Sequence, residues 1–160
     1  MKSFRRIAHV VVATFFAAFL SVISLQATGQ NATPIITNAW VKTTVPGSHV
    51  SAAYMSIKSA KPLKLVKAES TVAGLAEIHN MSMKDGVMEM KAMDVVDIPA
   101  NKLVEFKPGG LHVMLMNVAK PINTGDKVPL VLIFEGADKK PIIVKLDATA
   151  QDKAATAHKH

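Results

Sequence analysis

The segment Ile78-His79-Asn80-Met81-Ser82-Met83-Lys84-Asp85-Gly86-Val87-Met88-Glu89-Met90 constrains the fold more tightly than any other part of the chain. Asp-Gly between two alternating runs is a strong signal for a two-residue hairpin loop, because both loop positions must accept positive φ to follow the twist of the strands. With Asp85 and Gly86 as the loop, Lys84 faces Val87, Met83 faces Met88 and Met81 faces Met90. Side chains alternate across a strand, so His79, Met81, Met83, Met88 and Met90 share one face, with His79 diagonal to Met90.

The rest of the chain repeats the theme. Short β-branched and apolar runs are separated by turn residues, the pattern of an antiparallel sandwich or barrel. Strands are predicted near Ile35 to Thr43, Ser51 to Ser59, Leu63 to Ser70, Ala76 to Met83, Val87 to Met93, Leu103 to Phe106, Leu111 to Val118, Val128 to Phe134 and Ile142 to Leu146. Pro46-Gly47, Asp85-Gly86, Pro108-Gly109-Gly110 and Asn123-Thr124-Gly125-Asp126 supply turns. No stretch combines a helical period with caps. The expected fold is therefore an all-β antiparallel β-sandwich, and 160 residues suffice for a single domain.

Three segments are expected. Residues 1–29 read as an export signal: Lys2, Arg5 and Arg6 are followed by an apolar run from Ile7 to Leu25 and by the small-residue sequence Ala27-Thr28-Gly29 before Gln30. The run approaches the ~20 apolar residues that cross a bilayer, but His9, Thr14, Ser21 and Ser24 weaken it as an anchor, so no stable membrane insertion is expected after cleavage. Residues 30–147 form the folded domain. Residues 148–160, mostly Ala, Lys, Asp and His, carry too little apolar material to dock and are expected to be a flexible tail.

Loss of the signal lowers the net charge from +7 to +4. The remaining lysines are scattered and are not interleaved with stacking rings, so nucleic acid is not an expected partner. An exported protein without cysteine has no disulfide framework and no thiolate chemistry. Blue-copper electron transfer, which needs a Cys ligand, and thiol–disulfide exchange are both excluded.

His112 and Met114 lie two apart in a predicted strand and so point the same way, with Met116 continuing that face. The Pro108-Gly109-Gly110 turn puts His112 near the start of its strand and near one end of the domain. Together, His79, Met90, His112 and Met114 offer two imidazoles and two thioethers. Thioether sulfur is soft and uncharged and selects Cu(I), and imidazole also suits copper. A methionine that alternates along a strand is more often adaptable packing material, and Met55, Met83, Met88, Met93 and Met116 are read as core or rim. Met81, which faces Met90, stays open as an alternative ligand. His49 is read as an ordinary surface or hydrogen-bonded histidine.

In these residues the chain resembles the periplasmic copper chaperones of the PCuAC type. Their motif is His, ten residues, Met, twenty-one residues, His, one residue, Met, and His79, Met90, His112 and Met114 fit all four positions. Ala39-Trp40-Val41, Ala52-Ala53-Tyr54-Met55, His79-Asn80-Met81, the run from Lys107 to Met116 and Gly125-Asp126-Lys127-Val128-Pro129-Leu130 extend the resemblance from Ile35 to Leu146. It implies a cupredoxin-like β-sandwich holding one Cu(I) through the four side chains. It further implies a periplasmic chaperone delivering copper to the CuA centre of cytochrome c oxidase, alongside thiol-containing copper assembly factors. Some relatives carry a long Met- and His-rich extension that adds Cu(II) capacity, whereas this chain ends in His158-Lys159-His160.

The ligand chemistry favours a carrier over an enzyme, since nothing in the sequence resembles an oriented acid–base or nucleophile set. Neutral ligands can also yield Cu(I) to a thiolate-rich acceptor, where charged sulfur neutralises the ion. A copper-buffering protein without a dedicated acceptor is the alternative, followed by a structural sandwich with a Met-rich core. A zinc hydrolase ranks below both, because zinc sites use Cys, His and carboxylates.

Overall fold

A computed structural model describes residues 33–153, and they contain ten strands and no helix. The expected signal, 1–29, and the end of the expected tail, 154–160, lie outside the described residues. In chain order the strands are β1 Ile35–Lys42, β2 Val50–Lys58, β3 Leu63–Glu69, β4 Ala73–Lys84 and β5 Val87–Ala92, followed by β6 Val96–Ile98, β7 Leu103–Phe106, β8 Leu111–Val118, β9 Lys127–Glu135 and β10 Pro141–Gln151.

Hydrogen bonding links them in the order β5-β4-β8-β7-β2-β1-β10-β9-β3-β6. β2 is shared: Val50 to Ala53 pair with β8, while Met55 to Lys58 pair with β7. The ladder is antiparallel except where β1 runs parallel to β10 and where Phe106 meets Leu111. One buried cluster joins Ile78 of β4 and Leu115 of β8 to Leu65 of β3, Ile98 of β6 and Phe134 of β9. Strands from both halves of the ladder thus share a core, as in a sandwich.

Alternation builds that core. In β9, Val128, Leu130, Leu132 and Phe134 are buried, and each residue between them is half-buried. In β2, Ala53, Met55 and Ile57 point into the same core, while Ala52 and Tyr54 point the other way. The hairpin forms in the register read from the sequence, with Met81 opposite Met90 and Met83 opposite Met88. Asp85 and Gly86 both take positive φ, 50° and 80°, the backbone that a type I′ loop requires.

Three expectations need correction. β6 was not anticipated: Val96 and Ile98 alternate with Asp97 over only three residues, too short a run to register as a strand, and they gain their place by pairing with Leu63 to Leu65 of β3. The boundary at 147/148 also moves, because β10 continues to Gln151. Ala148 and Ala150 are fully buried, and the main chain there is held by Ala150 N–H to the Asp126 carbonyl at 2.8 Å and Gly125 N–H to the Ala150 carbonyl at 2.9 Å. Small side chains let this strand lie beside β1; the alternating bulky apolar run that marks a strand locally is missing there. Finally, Met83 and Met88 are exposed on the hairpin, while Met55 is core and Met93 packs on its edge.

Candidate metal centre

The site lies on the sheet face opposite the main core, where four adjacent strands align their rings. Trp40 of β1 lies opposite Tyr54 of β2, with ring centroids 4.5 Å apart. Tyr54 lies 6.3 Å from His112 of β8, and His112 lies 5.8 Å from His79 of β4, edge to face. His79 and His112 are direct cross-strand partners. Residues 33 positions apart are thereby brought together by one pair of antiparallel strands.

Each imidazole has one nitrogen engaged. In His112, Nδ1 lies 2.9 Å from the Gly110 carbonyl. A carbonyl only accepts, so Nδ1–H donates and Nε2 keeps the lone pair. The same carbonyl accepts the Met81 backbone N–H at 3.1 Å, tying the turn before β8 to β4. In His79, Nε2 lies 2.9 Å from Oε2 of Glu77, which places the proton on Nε2 and the lone pair on Nδ1. That Nδ1 is buried and has no hydrogen-bond partner among the described residues.

A buried acceptor without a donor costs free energy unless something occupies it. Metal-bound histidines characteristically donate their second N–H to a carboxylate or a backbone carbonyl, which fixes the ring and raises its basicity. His79 with Glu77 is the first arrangement and His112 with Gly110 is the second. The residues present therefore fit a metal ion. Burial, assisted by the neighbouring His79, lowers the pKa of His112, while the Gly110 contact opposes the shift. The net effect keeps this imidazole neutral, the form that binds metal.

The thioethers flank the pair. Met114, half-buried, stands opposite Glu77 and beside His112 on the same face. Met90 is on β5, two cross-strand pairs from His79 and hence on the same face, in the opposite direction along the ladder, and is 49% exposed. Were the four residues to hold one soft ion, Met114 and Met90 would approach the imidazoles from opposite flanks. Met81 directly faces Met90 and is half-buried, so its placement resembles that of a ligand as much as that of filler. Among the described residues, no group of three or more His, Cys, Asp or Glu side chains is arranged to hold a metal.

His49 is hydrogen-bonded to the Val118 carbonyl at 3.1 Å and lies outside the site. Sequence reasoning missed Glu77 and the ring row. Glu77-Ile78-His79 carried the signal, because alternation puts a carboxylate beside the imidazole it steadies.

The fold is thus an all-β, cupredoxin-like sheet structure that matches solved PCuAC domains. The chain belongs to the family described as "Putative lipoprotein LpqE-like", whose profile matches residues 35–146. It is 31% identical over 125 residues to "Putative lipoprotein Lxx21020" of Leifsonia xyli, spanning 76% of this chain and 74% of that one. Among solved structures it resembles the Cu(I) form of DR1885 from Deinococcus radiodurans, with TM-score 0.55, 27% identity and coverage of 82% and 87% of the two chains. It also resembles the copper-bound PCuAC domain from PmoF2, with TM-score 0.61, 22% identity and coverage of 76% and 94%. Among the described residues, no helix is long and apolar enough to cross a membrane.

Proposed function

We propose that this protein is an exported copper chaperone, not an enzyme, that binds one Cu(I) through His79, Met90, His112 and Met114. The observation that carries this reading is the pair of facing imidazoles, each oriented by its own acceptor, with the buried Nδ1 of His79 left without a donor among the described residues. Glu77 and the Gly110 carbonyl hold the rings, and Met114 and Met90 supply the soft sulfur that distinguishes Cu(I) from zinc. Copper-bound relatives of the same fold, DR1885 and the PmoF2 domain, support the choice of metal.

In this reading the protein works in the periplasm and gives its copper to the CuA domain of cytochrome c oxidase, in company with thiol-containing assembly factors. Cu(I) moves downhill because a thiolate neutralises it and a thioether does not. The test has two parts. The Met90→Leu, Met114→Leu variant should bind Cu(I) at the imidazoles far more weakly while staying folded, because Leu preserves volume and removes only sulfur. Copper-loaded protein mixed with reduced, metal-free CuA domain should transfer its ion. Unchanged affinity in the double variant refutes the ligand set, and retention of copper in the mixture favours the buffering role.

A further inference from the structure

Two directly opposed methionine pairs, Met81 with Met90 and Met83 with Met88, stand on one face of the β4–β5 hairpin, and the His–Met site accounts for Met90 alone. We propose that Met81, Met83 and Met88, with Met90 at their inner edge, form a second, all-thioether site for Cu(I) or a similarly soft monovalent cation.

Packing does not explain these side chains. Met83 is 68% exposed and Met88 60%, and none of the four belongs to the core or to the apolar residues packed against it. Nor does strand propensity, since exposed strand positions favour β-branched and aromatic residues over Met. Their spacing, by contrast, suits a metal. The Met93 N–H bonds to the Ile78 carbonyl at 2.8 Å, so Ile78 and Met93 sit at a hydrogen-bonded rung. Rungs alternate in type, which makes 81/90 and 83/88 both non-hydrogen-bonded pairs, with Cα atoms about 4.5 Å apart and side chains close. Successive pairs on one face are separated by about 7 Å along the strand. Four flexible thioethers at the corners of such a rectangle can close on one ion. The Asp85-Gly86 loop pins that rectangle, because a slip of one residue would send the methionines to opposite faces.

Met90 lies between the outer pair and the imidazoles. When both sites are filled it serves one ion only, leaving Met81, Met83 and Met88 for the second, and three neutral sulfurs suit Cu(I). An ion entering at the exposed tip can pass through Met90 to His79 and His112 without leaving sulfur. That handover rests on the His–Met reading given above; the hairpin site does not.

The experiment is an anaerobic Cu(I) titration of protein labelled with 13C at the methionine methyls, followed by NMR and by X-ray absorption at the copper edge. The first equivalent should shift the Met114 methyl, and the second should shift Met83 and Met88 and add copper coordinated by sulfur alone. Met83→Leu with Met88→Leu should reduce the stoichiometry from two to one and leave the first affinity within about twofold. His112→Asn with Met114→Leu should abolish the nitrogen-containing site and retain the sulfur-only one. Absence of copper coordinated by sulfur alone at any loading, or its binding without movement of the Met83 and Met88 methyls, overturns the proposal. A protein that binds copper through sulfur alone even in its first equivalent refutes the His–Met reading and leaves the hairpin site standing.

Discussion

Replacing Glu77 by Gln tests the proposed site where its geometry is most specific. The carboxylate accepts the Nε2–H of His79 at 2.9 Å, which holds the ring with Nδ1 toward the buried side and adds electron density to the ligand nitrogen. Removing such an outer-shell partner from a metal-bound histidine typically costs 10–100-fold in affinity. Here the side chain of His79 is 13% exposed and that of Glu77 41%, so water screens the carboxylate and can replace part of its hydrogen bond. Gln also keeps one acceptor oxygen. The low end of the range follows: about tenfold weaker Cu(I) binding, equivalent to about 1.4 kcal/mol. Competition with a Cu(I) chelator under anaerobic conditions measures this directly, and 15N NMR of the loaded protein should show metal at Nδ1 of His79 and a proton at Nε2. An unchanged affinity in Glu77→Gln, or metal at Nε2, would refute the assigned orientation.

Two further expectations concern the folded domain. Truncation after Asp147 removes the end of β10, which pairs in parallel with β1 and buries Ala148 and Ala150; it should lower the urea midpoint substantially. The metal-free protein should lose stability on acidification: His112 has a lowered pKa when folded, so the unfolded chain binds the proton more readily. That contribution is fully present above the ordinary histidine value and is lost as pH falls through the folded pKa, so urea melts across this range should show a shallower slope for His112→Asn.

Most of the strand inventory was legible because alternation and turn chemistry are local. Asp85-Gly86 dictated both the hairpin and its pairing, down to Met81 opposite Met90, because a type I′ loop admits one register. The clean alternation of β9 likewise needed no tertiary information. Local signals failed where packing decided. Val96–Ile98 becomes a strand only because β3 offers it an edge, and Ala148 to Gln151 only because β1 and the Asp126 turn receive it.

The same division runs through the candidate site. Residue type and strand alternation put His79, Met90, His112 and Met114 forward with Met81 still open beside Met90, and the resemblance to the PCuAC chaperones singled out the four; the soft-metal chemistry was legible because ligand softness belongs to the side chain. The sequence also put His112 beside Met114 on one face, and His79 diagonal to Met90, because strand alternation is a property of the backbone. Only the tertiary structure could place His79 opposite His112, a pairing of β4 with β8 across 33 residues that no local rule predicts. Only it could show which nitrogen of each ring is free, because that is decided by the acceptors that Glu77 and Gly110 bring to them.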